Sequence, residues 1–196
     1  MTPERIEPKQ VEYKGTIFRS SLEFRWAVFF DACGVKWEYE PRRVQCEGNE
    51  LYLPDFLLED VYIRNYFISK LYVEVKGCKS KSDARKIQAF SKDFRIIMLG
   101  SLFCMNSFTT YEQAICDKHH EDPDFFSFKY IDGDCYPAIP AISKEGRFCI
   151  VGPDYIYDEV DFDKTTDAIG KFLSAKTEGE KPPYKGVTND PVQISD

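Results

Sequence analysis

A mixed α/β fold is predicted by three features of the sequence. An aromatic-rich helix with a start signal at Ser20 and a stop at Gly34 comes first. Short strand-like runs follow it, and a second helical stretch then leads into a buried apolar run. Up to Gly100 the elements read in the order α-β-β-β-α-β.

The first element needs a start signal. Ser20-Ser21-Leu22-Glu23 has the Ser-x-x-Glu form in which a serine caps the helix and a glutamate three residues on reaches back. At 100° per residue Leu22, Trp26, Phe29, Phe30 and Cys33 share one face and Asp31 lies opposite, with Gly34 as the natural stop. Residues 1–12 are polar and read as an extended N-terminal arm. Val35 to Glu40 alternates apolar and charged residues, as a half-buried strand does, until Pro41 closes it. Leu51 to Leu58 is a short apolar strand and Lys70 to Lys76 another. Between them Glu59 to Ser69 reads as either a loop or a hairpin arm. Ser82 to Phe94 carries Ala84, Ile87, Phe90 and Phe94 at helical spacing, and Arg95 to Gly100 is a buried strand. Beyond 101 the texture changes: a helix over Tyr111–His119, strands over Phe125–Tyr130 and Gly146–Val151, and a helix over Lys164–Ala175. The organisation expected is an arm (1–12), a core (13–100), a C-terminal β/α elaboration packed on that core (101–176) and a tail (177–196).

Composition excludes several classes. The chain has 196 residues, 43% hydrophobic and 15% aromatic, which is globular rather than disordered. It has no run of 18 apolar residues and no apolar segment near Met1, so neither a membrane span nor a secretory signal is expected, and the expected compartment is the cytoplasm. Seven cysteines are scattered without a CxxC pair. In a reducing compartment they read as buried small hydrophobes or free thiols, not as a disulfide frame. A zinc site built on Cys116 and His119-His120, with Cys104, Cys135 and Cys149 as further ligands, is the alternative. The net charge of −7 divides unevenly: residues 1–100 carry 17 Lys and Arg against 15 Asp and Glu (+2), and residues 101–196 carry 9 against 18 (−9). Local fields guide a polyanion, so any nucleic acid is expected on the first hundred residues.

The chemistry-bearing residues lie between 53 and 76. Glu74 and Lys76 are two apart on one strand and project to the same face, while Val73 and Val75 project into the core. Asp55 follows Pro54, which removes a backbone donor and suits an edge or bulge. An aspartate from one strand and a Glu-x-Lys from its neighbour can converge on one divalent cation, because Mg²⁺ takes oxygen ligands, commonly one or two carboxylates. Lys76 can then hold the attacking water or the phosphate by charge. Glu23 lies on the rim of the helix's buried face, within reach of the same sheet edge.

Glu23 in an early helix, Pro54-Asp55 and Glu74-Val75-Lys76 before Gly77 together resemble the PD-(D/E)XK nuclease superfamily. The phrases Arg19 to Asp31, Trp37-Glu-Tyr-Glu-Pro41 and Tyr52-Leu-Pro-Asp-Phe56 resemble its small phage-type members. The likeness covers about residues 13–100. It implies a restriction-endonuclease-like core, a mixed central sheet flanked by helices, that hydrolyses DNA phosphodiester bonds with Mg²⁺ or Mn²⁺. Asp55 and Glu74 would ligate the metal, Lys76 would poise the water, and Glu23 would be an added ligand or base. Arg19, Lys79, Lys81, Arg85, Lys86 and Gln88 are candidate nucleic-acid contacts. A junction-selective resolvase acting as a homodimer is the runner-up within the class, and a catalytically silent DNA- or protein-binding module the rival from outside it. Structural roles stand beside the functional ones: Glu23 as a capping residue, Asp55 as a turn starter, Glu74 and Lys76 as a solvated pair.

Overall fold

The computed structural model of the chain describes residues 10–45, 51–63, 66–76, 86–87, 89–100, 127–131, 134–151 and 159–175. A hairpin comes first, in place of the end of the expected arm. Strands β1 (Val11–Tyr13) and β2 (Thr16–Phe18) pair antiparallel. Lys14 and Gly15 between them both have positive φ, 50° and 78°, the turn whose twist matches that of paired strands. Val11 and Phe18 are buried, and the Phe18 ring lies 6.4 Å from Phe24 of the helix that follows and 4.6 Å from Tyr39.

Helix α1 (Ser21–Ala32) starts and stops where the sequence signals it. Ser20 Oγ accepts a hydrogen bond from the Glu23 N–H at 3.2 Å, and Gly34 sits at φ 68°. The expected single apolar face is too narrow a description. Phe24, Trp26, Ala27, Phe29 and Phe30 are all buried because α1 is covered from several directions. Phe24 meets Tyr13 of the hairpin at 5.4 Å, Phe30 meets Phe56 of the sheet at 5.3 Å, and Trp26 meets Phe172 of the last helix at 5.0 Å between ring centroids. Even Asp31, on the polar side, accepts hydrogen bonds from Tyr13 and Trp37 and pairs with Lys14.

The strands that follow are β3 (Lys36–Tyr39), β4 (Val44–Gln45), β5 (Leu51–Tyr52), β6 (Phe56–Ile63), β7 (Tyr66–Val75), β8 (Ile96–Leu99), β9 (Ser127–Ile131), β10 (Asp134–Ile142) and β11 (Phe148–Val151). The short β4 and β5 pair with each other, so the run expected over 51–58 is two strands broken at Leu53–Asp55. The stretch 59–69 is readable as either a loop or a hairpin arm; its described residues, 59–63 and 66–69, belong to β6 and β7, which pair antiparallel with register Phe56↔Val73 to Ile63↔Tyr66. The main sheet runs β11-β10-β9-β8-β7-β6-β3, parallel only at β7–β8. β11 also pairs in parallel with the far end of β6, Cys149↔Tyr62 and Ile150↔Ile63. Strands β6 to β11 therefore close into a ring, and β3 takes the part of β6's edge that β11 leaves.

One face of β6 and β7 carries Phe56 and Val73 and packs on α1; the other carries Tyr72, which meets Phe90 and Phe94 at 5.3 and 5.7 Å. The backbone at 86–87 and 89–91 is helical, with Ile87 and Phe90 buried. Helix α2 (Phe162–Ser174) turns Thr165, Ala168, Ile169 and Phe172 inward at helical spacing. Asp161 caps it by accepting from the Lys164 N–H, and Thr165 Oγ1 accepts from the Ile142 N–H at 3.0 Å, tying α2 to β10. Among the described residues no helix is long and apolar enough to cross a membrane. The helix expected over 111–119, residues 177–196, and Cys104, Cys116, His119 and His120 lie outside the described residues. Cys33 and Cys149 are free and buried, and burial pushes the Cys149 thiol up to about 12.

Candidate metal centre

The predicted residues gather where β6 begins and β7 ends. One step beyond the Phe56↔Val73 pair, the register sets Asp55 alongside Glu74. The bend at Leu53–Asp55 frees the Asp55 side chain to turn back, and its Oδ2 accepts the Val75 N–H at 2.7 Å. Glu74 and Lys76 lie on the same face of the strand, as their spacing requires, and Lys76 Nζ sits 2.7 Å from Glu74 Oε1. Asp55 and Glu74 are 3% and 6% exposed, whereas Lys76 is only partly buried.

Glu23 arrives from the first turn of α1. Its Oε2 accepts from the Tyr39 hydroxyl and from the Arg19 N–H, at 2.5 and 3.1 Å. A reciprocal capping box would turn that carboxylate onto Ser20; here it reaches one residue further back and across to β3. Arg19 completes the cluster. Its Nη2 lies 2.7 Å from Asp55 Oδ1 and its Nε 2.7 Å from Glu40 Oε1. Glu40 is held by its N–H on the Asp55 carbonyl at 2.8 Å, with φ at 45°. Arg19, expected to touch nucleic acid, is thus the cation bound to the central aspartate. Nothing in its spacing announces this, and the role of Tyr39 is equally silent in the sequence.

The electrostatics follow from burial. Asp55 is pushed up to about 7, first by loss of water and then by the charge of Glu74. The Val75 N–H pulls the other way, Glu23 adds to the rise, and Lys76 lowers it. Burial and the bond to Glu23 raise the Tyr39 hydroxyl, which therefore stays a donor. Glu74 Oε2 is buried and has no hydrogen-bond partner among the described residues. Such an atom costs about 1–3 kcal/mol unless something fills its coordination.

These donors suit a hard divalent cation in part. Two neighbouring carboxylates with an unsatisfied buried oxygen are what Mg²⁺ takes from a protein, the rest of its shell being water and phosphate. Among the described residues no three His, Cys, Asp or Glu side chains group closely enough to hold a metal. Glu23 is coupled to Asp55 through its charge but is occupied by Tyr39 and Arg19. Lys86 is exposed, while Lys79, Lys81, Arg85 and Gln88 lie outside the described residues. No protein-family model, curated protein or solved structure matches the chain.

Proposed function

We propose that this chain is a Mg²⁺- or Mn²⁺-dependent endonuclease that hydrolyses DNA phosphodiester bonds on a restriction-endonuclease-like α/β core. The observation that carries the reading is the buried pair Asp55–Glu74, with Lys76 on Glu74 and one Glu74 oxygen without a hydrogen-bond partner among the described residues. Asp55 and Glu74 are the residues that would hold the metal, which when bound supplies positive charge to the phosphate and a more acidic water. Lys76, two residues along the same strand face, orients the attacking water or the phosphate oxygen with its ammonium group. Arg19 neutralises Asp55 before a cation arrives and is free to swing to a phosphate once one has. Glu23 fixes Tyr39 and the Arg19 backbone, and so positions the arginine at the rim.

Incubating the protein with linear, single-stranded and branched DNA and Mg²⁺ or Mn²⁺ tests this. The parent should cut, with Lys76→Ala and Asp55→Asn inactive. A parent that cuts none of the three, or variants that cut as well as it does, would sink the proposal. Preference for the branched substrate would select a junction resolvase. A second reading has its own observation: Arg19–Asp55 and Lys76–Glu74 neutralise one another in pairs, as a silent binding module would need. It predicts DNA binding that is indifferent to divalent cations.

A further inference from the structure

We infer that a cavity of about 550 Å³ beside β7 is a subsite for the phosphodiester backbone of the nucleic-acid strand, next to the proposed metal centre. The inference deepens the nuclease reading and rests on it for the identity of the polymer. Among the described residues Arg42, Lys70, Lys92 and Arg95 line the cavity, against one carboxylate, Asp93. That is a local excess of three positive charges in a chain whose net charge is −7. Among the described residues Arg42, Lys70 and Arg95 take part in no ion pair, so their charge is open to a ligand. Tyr72 and Phe94 form an apolar wall, and low-dielectric walls concentrate the field of charges set around them.

Placement gives the ligand its direction. Lys70, Tyr72, Glu74 and Lys76 occupy alternate positions and therefore one face of β7. At about 3.3 Å per residue, Tyr72 lies about 7 Å and Lys70 about 13 Å along the strand from Glu74. Each strand of a duplex carries one phosphate per about 3.4 Å of axis. A strand lying along β7 with one phosphate at Glu74 and Lys76 therefore brings the next phosphates of the same strand over the cavity. Arg42 closes it from the segment after Glu40, the residue that Arg19 links to Asp55.

The test reads binding without cutting. Fluorescence anisotropy of a short labelled single-stranded DNA is followed in chelator, at salt between about 50 and 200 mM. Replacing both Lys70 and Arg95 by Ala should weaken binding by about tenfold or more and flatten the slope of log K against log salt by about 1.4, about 0.7 for each phosphate that is no longer neutralised. Arg42→Ala, made separately, should give about half that change in slope, and Lys36→Ala on β3 none. All four positions are exposed, so thermal melts should match the parent. Equal affinity and slope in parent and double variant would overturn the subsite, as would a parent that does not bind the oligonucleotide. Displacement of the DNA by inorganic pyrophosphate or AMP at micromolar concentration would also overturn it, in favour of a free-nucleotide site. Failure of the parent to cut in Mg²⁺ would remove the nuclease reading alone, because the salt slope is measured without metal.

Discussion

Replacing Asp55 by Asn removes a buried charge whose cost depends on pH, and that dependence can be predicted. In the folded chain Asp55 holds its proton up to about 7, against an ordinary 3.8. A raised carboxyl contributes stability that is complete below about 3.8 and is lost as pH climbs through 7. The rise from 3.8 to about 7 is worth on the order of 4 kcal/mol, at about 1.36 kcal/mol for each tenfold change in proton affinity. At least about 2 kcal/mol of this should be observable. Asn preserves the acceptor for the Val75 N–H and loses the anion facing Arg19. That anion exists only above about 7, so its loss adds nothing at lower pH and leaves the sign of the curve unchanged. Urea denaturation of both proteins in chelator, from pH 4 to pH 8, gives the difference curve. The variant should gain on the parent by about 2–4 kcal/mol across that range and level off above pH 7. A difference curve that is flat, or that falls with pH, would refute a buried, proton-holding Asp55 and with it the crowding of Asp55 and Glu74.

Three further outcomes follow from the same structure. Arg19→Ala should lower metal-free stability by about 1 kcal/mol, a modest figure because the arginine is half exposed, and should enlarge the rise in Tm on adding Mg²⁺; an unchanged response to Mg²⁺ would show that Arg19 does not compete for Asp55. Phe172→Ala empties a site walled by Trp26 and should cost about 3–5 kcal/mol in urea melts, with a loss under about 1 kcal/mol contradicting the packing of α1 on α2. Gly34→Ala places a side chain at φ 68° and should cost about 1 kcal/mol, whereas an Ala variant as stable as the parent would mean that the stop of α1 tolerates other backbone angles.

The features legible in the sequence are those that repeat locally. The cap of α1 is a three-residue pattern, its stop is one glycine, and the Glu74–Lys76 alternation is set by strand geometry alone. The 59–69 segment is ambiguous in sequence because its polar tip has no strand alternation, while the pairing that orders it is supplied by β7. β10 is hidden for a different reason: Pro137 and Pro140 lie inside it. Among the described residues β9 pairs with its first half and β11 with its second, so each proline has one flank without a described strand partner, the kind of place where a strand tolerates proline. At the site, Asp55, Glu74 and Lys76 can be named from spacing. The bonds of Arg19 to Asp55 and of Tyr39 to Glu23 join residues 36 and 16 apart in the chain, and no local pattern encodes such distances.

The closure of β6 to β11 also bears on how the chain reaches this state. When the first hundred residues leave the ribosome, β8 has one bare edge, β6 lacks the strand that completes its far half, and Trp26 has no Phe172 to meet. A bare apolar edge pairs readily with another chain, and ring closure between residues about ninety positions apart is slow. The residues of the proposed metal centre are therefore synthesised well before the scaffold that shields them is complete. Shortening the protein to its first hundred residues would trap it in this open intermediate, with aggregation rather than a smaller folded domain as the outcome.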